Sequence, residues 1–545
     1  MIYAMIGAVL IVIALIVVKY TKAKEVEKMA NRIRKEFGAE PNRDFIRKNV
    51  QYLMAYEEKK YDIDEITWND LDMDTVYTRI NNCNSFIGEQ VLYRQLHAME
   101  RTKEEVENRE KMIQDFVSNT KRREDVQVLL ESIGRQKASY FLPMFIKEVA
   151  LFEIGNIWIY RLLSVLLAVT LILGIAIDPF FFYGAGLVFL INLVIYTLGK
   201  NRFEMHLGML GSVLNIVASA NILIQKHELI DGELARESIE GVERMKKMAS
   251  RITTIQRKIE TGIAGDMGAL LFDYLIGSTL WDFHVFHKAV QMLAANKEEF
   301  MKIYTYIGEI DATISIASYR ESVSHYCQPK FQKENVINFV EMYHPLLSEP
   351  VCNDVKMDSN FIVTGSNASG KSTYIKGIAI NMILAQSINM ALAKSANIPY
   401  ANILTSMAVR DDVILGESYY MKEIKHLKRI VIQLKKEKLA VCIVDEILRG
   451  TNTEERIAAS VAILDYLNNQ NCLAIVASHD IKISELLEGK FRNCHFNEVI
   501  DKKDICFDYK VKMGVSKTKN AIKLLRYVGF PEEIVKNAED LAHNL

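Results

Sequence analysis

Phe361-Ile362-Val363-Thr364-Gly365-Ser366-Asn367-Ala368-Ser369-Gly370-Lys371-Ser372-Thr373-Tyr374 reads as a short β-branched run, a turn of small residues and the start of a helix. Its centre, Gly365 to Ser372, fits the spacing G-x-x-x-x-G-K-[ST]. That spacing suits polyphosphate. Glycines let backbone N–H groups curl around phosphate oxygens, and the helix that follows points its positive end at them. Lys371 would then neutralise β/γ charge, and the Ser372 hydroxyl can ligate Mg²⁺. A Gly/Ser turn before any helix would satisfy the same pattern, so the decision falls to the rest of the chain.

Two further strand ends remove most of that ambiguity. Leu439 to Val444 is an apolar strand closing on Asp445-Glu446. Adjacent carboxylates at the end of a buried strand are costly unless they hold a cation or do chemistry. Asp445 would sit near Mg²⁺, and Glu446 would orient or deprotonate an attacking water. Leu473 to Ala477 is a second apolar strand, leading into Ser478-His479-Asp480. A lone histidine there would be a satisfied structural residue more often than not. As the third member of this series, His479 is read as a sensor of the γ-phosphate. Buried strands alternating with helices from about Asn338 onward indicate an α/β domain around a largely parallel sheet.

Upstream the texture is different. Residues 25 to about 155 and 203 to about 335 are charged, amphipathic helices, for example Lys103–Phe116 and Glu240–Ile259. Ile2 to Val18 is an almost unbroken apolar run followed by Lys19, Lys22 and Lys24. Its length is at the lower limit for crossing a bilayer, and the positive charge comes after the run rather than before it. That order favours an uncleaved anchor with the following chain in the cytosol. A second apolar block, Trp158 to Leu198, is broken at Asp178-Pro179 and closed by Lys200 and Arg202. It suits two spans joined by a tight turn, and Leu162–Ile177 carries only Ser164 and Thr170 as polar residues. A buried hairpin of a soluble core would show a polar stripe. The expectation is therefore a multi-pass protein of the cell membrane, in contact with the lipid bilayer, with its nucleotide site in the cytosol.

Composition narrows the remaining choices. The net charge is −1, so the chain gives no global argument for nucleic acid. The Lys-rich stretches Lys422–Lys438 and Lys502–Lys523 read as solvated helix faces rather than nucleic-acid footprints. Seven scattered cysteines, none spaced C-x-x-C, argue against a disulfide framework or a zinc site.

With these residues in view, the chain resembles the MutS mismatch-repair ATPase family. Thr364 to Tyr374 looks like that family's phosphate loop, with Asn367 at its characteristic asparagine. Asp445-Glu446-Ile447-Leu448-Arg449-Gly450-Thr451-Asn452-Thr453 is similar to its metal-binding strand and following loop, Ser478-His479-Asp480 to its histidine switch, and His344-Pro345 to the opening of its ATPase domain. Asp411-Asp412 through Gly416-Glu417-Ser418-Tyr419-Tyr420-Met421 resembles the loop that reaches into a partner subunit's nucleotide. Asn84 to Gly88, Leu92 to Leu96, and Ile310 to Ser318 resemble the start and return of the family's helical lever. Asn520–Val528, Gly529 and Pro531 read as a C-terminal helix-turn-helix, a region that pairs subunits in the family.

The resemblance implies a mixed fold: three transmembrane helices, an α-helical lever domain and a C-terminal α/β P-loop NTPase domain of ABC/MutS type. The expected order is an anchor at 1–20, a first lever part at 21–156, a transmembrane hairpin at 157–199, a second lever part at 200–337, the ATPase domain at 338–510 and a dimerisation segment at 511–545. The implied chemistry is hydrolysis of ATP with Mg²⁺ in a homodimer with composite sites. Lys371, Glu446 and His479 would be catalytic, and Ser372 and Asp445 would hold the metal. Gly365, Ser366, Asn367, Ala368, Ser369, Gly370, Lys371, Ser372 and Thr373 would bind the nucleotide, with Ser418 supplied across the dimer.

DNA is the partner the family implies. Two departures bear on it. Members that recognise mismatches carry an N-terminal domain with a Phe-x-Glu motif, whereas Phe339-Val340-Glu341 and Phe496-Asn497-Glu498 lie in the ATPase portion here. Val351 stands where an aromatic residue would stack on adenine, and Tyr419-Tyr420 replaces the usual Thr-Phe. An ATP-driven membrane switch acting on a protein is therefore the second reading. A transporter's nucleotide-binding half and an inactive relative rank behind both.

Overall fold

The computed structural model describes all residues except 1, 100–101, 153–155, 228–232, 247–274, 276, 366–368, 408–418, 435–437, 449–451, 502–503, 516–520 and 545. It separates into two compact units that alternate along the chain: 1–59, 80–94 and 103–322 in the first, 60–79, 95–102 and 323–545 in the second.

The first unit is helical. Its central element, Lys297–Glu321, is buried on all faces from Tyr304 to Arg320 apart from a few partly exposed positions. Asp311 lies in the middle of that helix with its side chain fully buried. Its carboxylate accepts hydrogen bonds from Asn84 N (2.8 Å), Ser85 N (2.7 Å) and the Ser85 hydroxyl (2.6 Å). These donors lead into the helix Phe86–His97, so the returning helix caps the outgoing one. Gly88 permits this approach, because a Cβ there would lie 2.2 Å from Asp311 Oδ2. The Asn-Ser-Phe-Ile-Gly pattern thus has a local physical reason.

The apolar block forms two helices, Ile157–Ala176 and Phe181–His227. Asn156 caps the first through Trp158 N, and Asp178 bonds Phe180 N at the turn. Apart from the seam where the two helices pack, apolar side chains face outward, with Leu162 at 68%, Ile175 at 80%, Leu187 at 62% and Leu198 at 78% exposure. No soluble core explains that surface. The second helix does not stop at Lys200 and Arg202, where the expected span closes. It continues to His227, and its distal part packs on the helices Thr120–Ile133 and Lys297–Glu321. Among the described residues, three segments are long and apolar enough to cross a membrane: Ile157–Ala176, Phe181–Gly199 and Gly208–Lys226. Half of the last is buried within the protein, as a core helix would be. Ile2–Glu36 is one helix, but the side chains of the expected anchor at 1–15 lie outside the described residues.

The second unit is built on two sheets. Strands β1 (Lys330–Gln332), β2 (Ile337–Met342), β3 (Asn353–Met357) and β5 (Ser395–Pro399) form the smaller, in the order β1-β5-β2-β3. Strands β4 (Phe361–Thr364), β6 (Asn402–Ser406), β7 (Ala440–Asp445), β8 (Cys472–Ala477), β9 (Arg492–Asp501) and β10 (Asp504–Met513) form the larger, in the order β10-β9-β4-β8-β7-β6. β9, β4, β8, β7 and β6 run parallel, with β10 antiparallel at one edge. β4, β7 and β8 are buried at every position, which is why they read as continuous apolar runs. The ends of β4, β7 and β8 carry the phosphate loop, Asp445-Glu446 and Ser478-His479, so the parallel sheet brings all three motifs to one edge.

Candidate nucleotide site

The phosphate loop leaves β4 through Gly365 (φ +143°) and enters the helix Lys371–Ile388 through Gly370 (φ +99°). Neither tolerates a side chain. A Cβ on Gly365 would meet Ser369 Oγ at 2.8 Å, and one on Gly370 would lie 3.1 Å from the Tyr509 ring. Lys371 is buried, and its Nζ donates to the Gly365 carbonyl at 2.6 Å, so its charge is held across the loop's mouth. Ser372 Oγ donates to Asp445 Oδ2 at 2.6 Å. These are hard oxygen ligands on facing elements. That is the donor set Mg²⁺ uses when phosphate and water complete its shell. Ser366, Asn367, Ala368 and Ser418 lie outside the described residues.

Glu446 follows β7 in a left-handed conformation (φ +54°), and Leu448 does the same (φ +58°). Each costs about 1–2 kcal/mol in a non-glycine residue, so the surroundings must hold them. Glu446 N donates to the Ala477 carbonyl (2.9 Å), and its Oε2 lies 3.2 Å from His479 Nδ1. The carboxylate is nearly buried, whereas half of the imidazole is open to solvent. Asp480 turns away to Arg456 (2.7 Å). Lys371, Ser372, Asp445, Glu446 and His479 therefore converge, although they span 109 positions from Lys371 to His479.

Beside the loop lies a cavity of about 460 Å³, lined among others by His344, Val351, Thr373, Phe496 and Tyr509. His344 is pushed down to about 4 by burial and by Lys376, and is neutral. Tyr509 was not singled out from the sequence. It stands at an irregularity of the β9–β10 pairing in a left-handed conformation (φ +49°). Asn353 fixes it by donating to the Tyr509 carbonyl (2.9 Å) and accepting from Val511 N (2.9 Å). Val351 itself supplies no aromatic ring to the cavity, and Tyr509 is one of the rings that line it. Its only sequence signal was the aromatic pair Phe507 and Tyr509 in a strand of alternating apolar and charged residues.

Residues 60–79 also belong to this unit, a grouping sequence reading did not foresee. Asp70 accepts from Thr405 Oγ1 (2.7 Å) and Met407 N (3.1 Å) at the end of β6. Arg429 on the helix Tyr419–Gln433 donates to Asp64 (2.9 Å) and to the Thr405 carbonyl (2.6 Å). The segment 60–79 therefore grips the elements on both sides of residues 408–418.

A phosphate loop, an acidic strand one place removed in a parallel sheet and a histidine at the strand between them define a P-loop ATPase-type domain. Residues 361–545 match the family described as MutS domain V. The chain is similar to the DNA mismatch repair protein MutS of Pseudothermotoga lettingae, at 29% identity over 44% of this chain and 31% of the relative. It is also similar to the same-named proteins of Listeria monocytogenes (26%, over 48% and 32%) and Leuconostoc mesenteroides (24%, over 57% and 38%). Through this domain the chain belongs to the MutS family. It spans about a third of the length of the curated relatives it matches.

Proposed function

We propose that this chain is a membrane-anchored MutS-type ATPase that binds and hydrolyses ATP with Mg²⁺ at composite sites of a homodimer. The observation that carries the reading is the convergence of Ser372 with Asp445 and of Glu446 with His479 around one phosphate loop. Mg²⁺, when bound, neutralises the β/γ-phosphate charge, and Ser372 and Asp445 are the residues that would hold it. Lys371 is placed to stabilise charge on the same phosphates. Glu446, nearly buried and backed by His479, orients a water for attack on the γ-phosphorus and takes its proton as the bond to ADP breaks. The cavity under Tyr509 receives the base. Ser418 would reach the partner's nucleotide.

DNA is the partner taken from the relatives' name, and it is the first candidate for what the helical unit grips. The outward-facing apolar hairpin and the near-zero net charge favour the second reading, a membrane-tethered switch acting on a protein. ATPase turnover of the detergent-solubilised chain, with and without homoduplex, mismatched and branched DNA, separates them. Stimulation by DNA that disappears in Glu446→Ala supports the DNA reading. Turnover abolished by Glu446→Ala but indifferent to every DNA supports the protein reading. Turnover unchanged in Glu446→Ala overturns the assignment of the site.

A further inference from the structure

Glu423 lies just beyond the first turn of the helix Tyr419–Gln433, and only 4% of it is exposed. A buried carboxylate is costly unless its charge is used. Its Oε1 accepts the N–H of Leu448, 25 residues further on, at 2.6 Å. Leu448 closes the turn that begins at Glu446, and both residues are left-handed. One charge-assisted bond thus fastens the far end of a strained turn whose near end is the candidate water-orienting carboxylate. The near end is held by Glu446 N on Ala477 O.

The helix that carries Glu423 is itself well fixed. Leu427, Ile430 and Leu434 share an apolar cluster with Ile447 and Leu448. Two residues beyond Leu427, Arg429 bonds Asp64 and the Thr405 carbonyl, and Gln433 bonds the second Asp64 oxygen (3.1 Å). The helix is pinned at the end away from the site while Glu423 grips the turn at the other.

We infer that Glu423 is a positioning residue for hydrolysis. Its carboxylate sets the Glu446–Leu448 turn and so the aim of Glu446, a role that rests on the reading of this site as an ATPase. It touches no reacting atom. The requirement is an acceptor at the right reach, which Glu423→Gln keeps and Glu423→Asp, one methylene shorter, does not.

The test measures kcat and KM for ATP on the full-length solubilised chain carrying Glu423→Gln, Glu423→Asp or Glu423→Ala, beside Glu446→Ala. Displacement of a catalytic group by about 1 Å costs on the order of 100-fold in rate. The expected result is a kcat about 10- to 100-fold lower in the Asp and Ala variants with KM within about threefold, and near-normal kcat in the Gln variant. Wild-type kcat in the Asp and Ala variants overturns the inference. So does an equal loss in Gln and Ala, or a parallel collapse of nucleotide binding and thermal stability in all three. Failure of the ATPase reading itself is separately visible, because Glu446→Ala would then leave turnover unchanged.

Discussion

Tyr509 shows how much a single side chain can decide at this site. Its ring lies against Gly370 and lines the cavity beside the loop, and Asn353 holds its backbone in place. Stacking of a base on an aromatic ring contributes about 1–3 kcal/mol, as judged by alanine substitution. Tyr509→Ala should therefore weaken ATP binding by about 5- to 150-fold, and Tyr509→Phe should leave it nearly intact, as measured by equilibrium binding of a fluorescent ATP analogue. Equal affinity in the alanine variant would place the base elsewhere. Lys371, Ser372, Asp445 and Glu446 were legible because each sits in a local pattern, a strand followed by turn residues or paired carboxylates. Tyr509, Glu423 and Asp70 were not, because their partners lie far off in sequence: Asn353 for the first, Leu448 for the second, Thr405 and Met407 for the third. No window along the chain contains both halves of such a contact.

At the scale of elements, the capping of one helix by the middle of another is the feature on which the helical unit turns. Asp311 gives its carboxylate to the N–H groups of Asn84 and Ser85, which lead into the helix Phe86–His97, from a fully buried position. Burial outweighs those bonds and raises its carboxyl to about 6. A folded-state value above that of the unfolded chain means the native state holds the proton more tightly. The stability conferred by that proton is present at low pH and is lost as pH rises from about 4 to about 6. Asp311→Asn, uncharged throughout, should flatten that slope in thermal melts of the solubilised chain recorded across this interval. A slope unchanged by the substitution would assign it to other groups. Gly88→Ala should destabilise the same unit by about 1–3 kcal/mol through the collision with Asp311, and melting at pH 7 reads it directly. The sequence made the amphipathic helices and the buried parallel strands visible through their periodicity. It did not show that the helix beginning at Phe181 runs on to His227, because Lys200 and Arg202 look like the end of a span and a long helix carries them through.

For the molecule as a whole, the chain passes between its two units at 59–60, 79–80, 94–95, 102–103 and 322–323. A rearrangement within the ATPase-type unit, as the proposed function requires, would have several covalent connections through which to reach the helical unit, and one of the inserted segments is the one whose Asp64 and Asp70 grip β6 and the helix Tyr419–Gln433. What the helical unit is fixed to then decides what that motion does, and here the apolar hairpin is the discriminating feature. Its two apolar segments, Ile157–Ala176 and Phe181–Gly199, have faces that the rest of the protein leaves uncovered. The turn at Asp178 carries no Lys or Arg, while Lys200 and Arg202 follow the second apolar segment, and on the membrane reading proposed above that asymmetry would put the turn outside and the flanking chain in the cytosol. The seven natural cysteines all lie outside residues 157–227. Asp178→Cys in intact cells should therefore react with a membrane-impermeant maleimide, while the natural cysteines react only after lysis. The chain should also remain with the membrane through an alkaline carbonate wash. Release by carbonate together with absence of labelling at position 178 would make the hairpin an interface for another protein rather than for lipid, and would turn the exposed leucines and isoleucines into the docking surface of a soluble MutS-type switch.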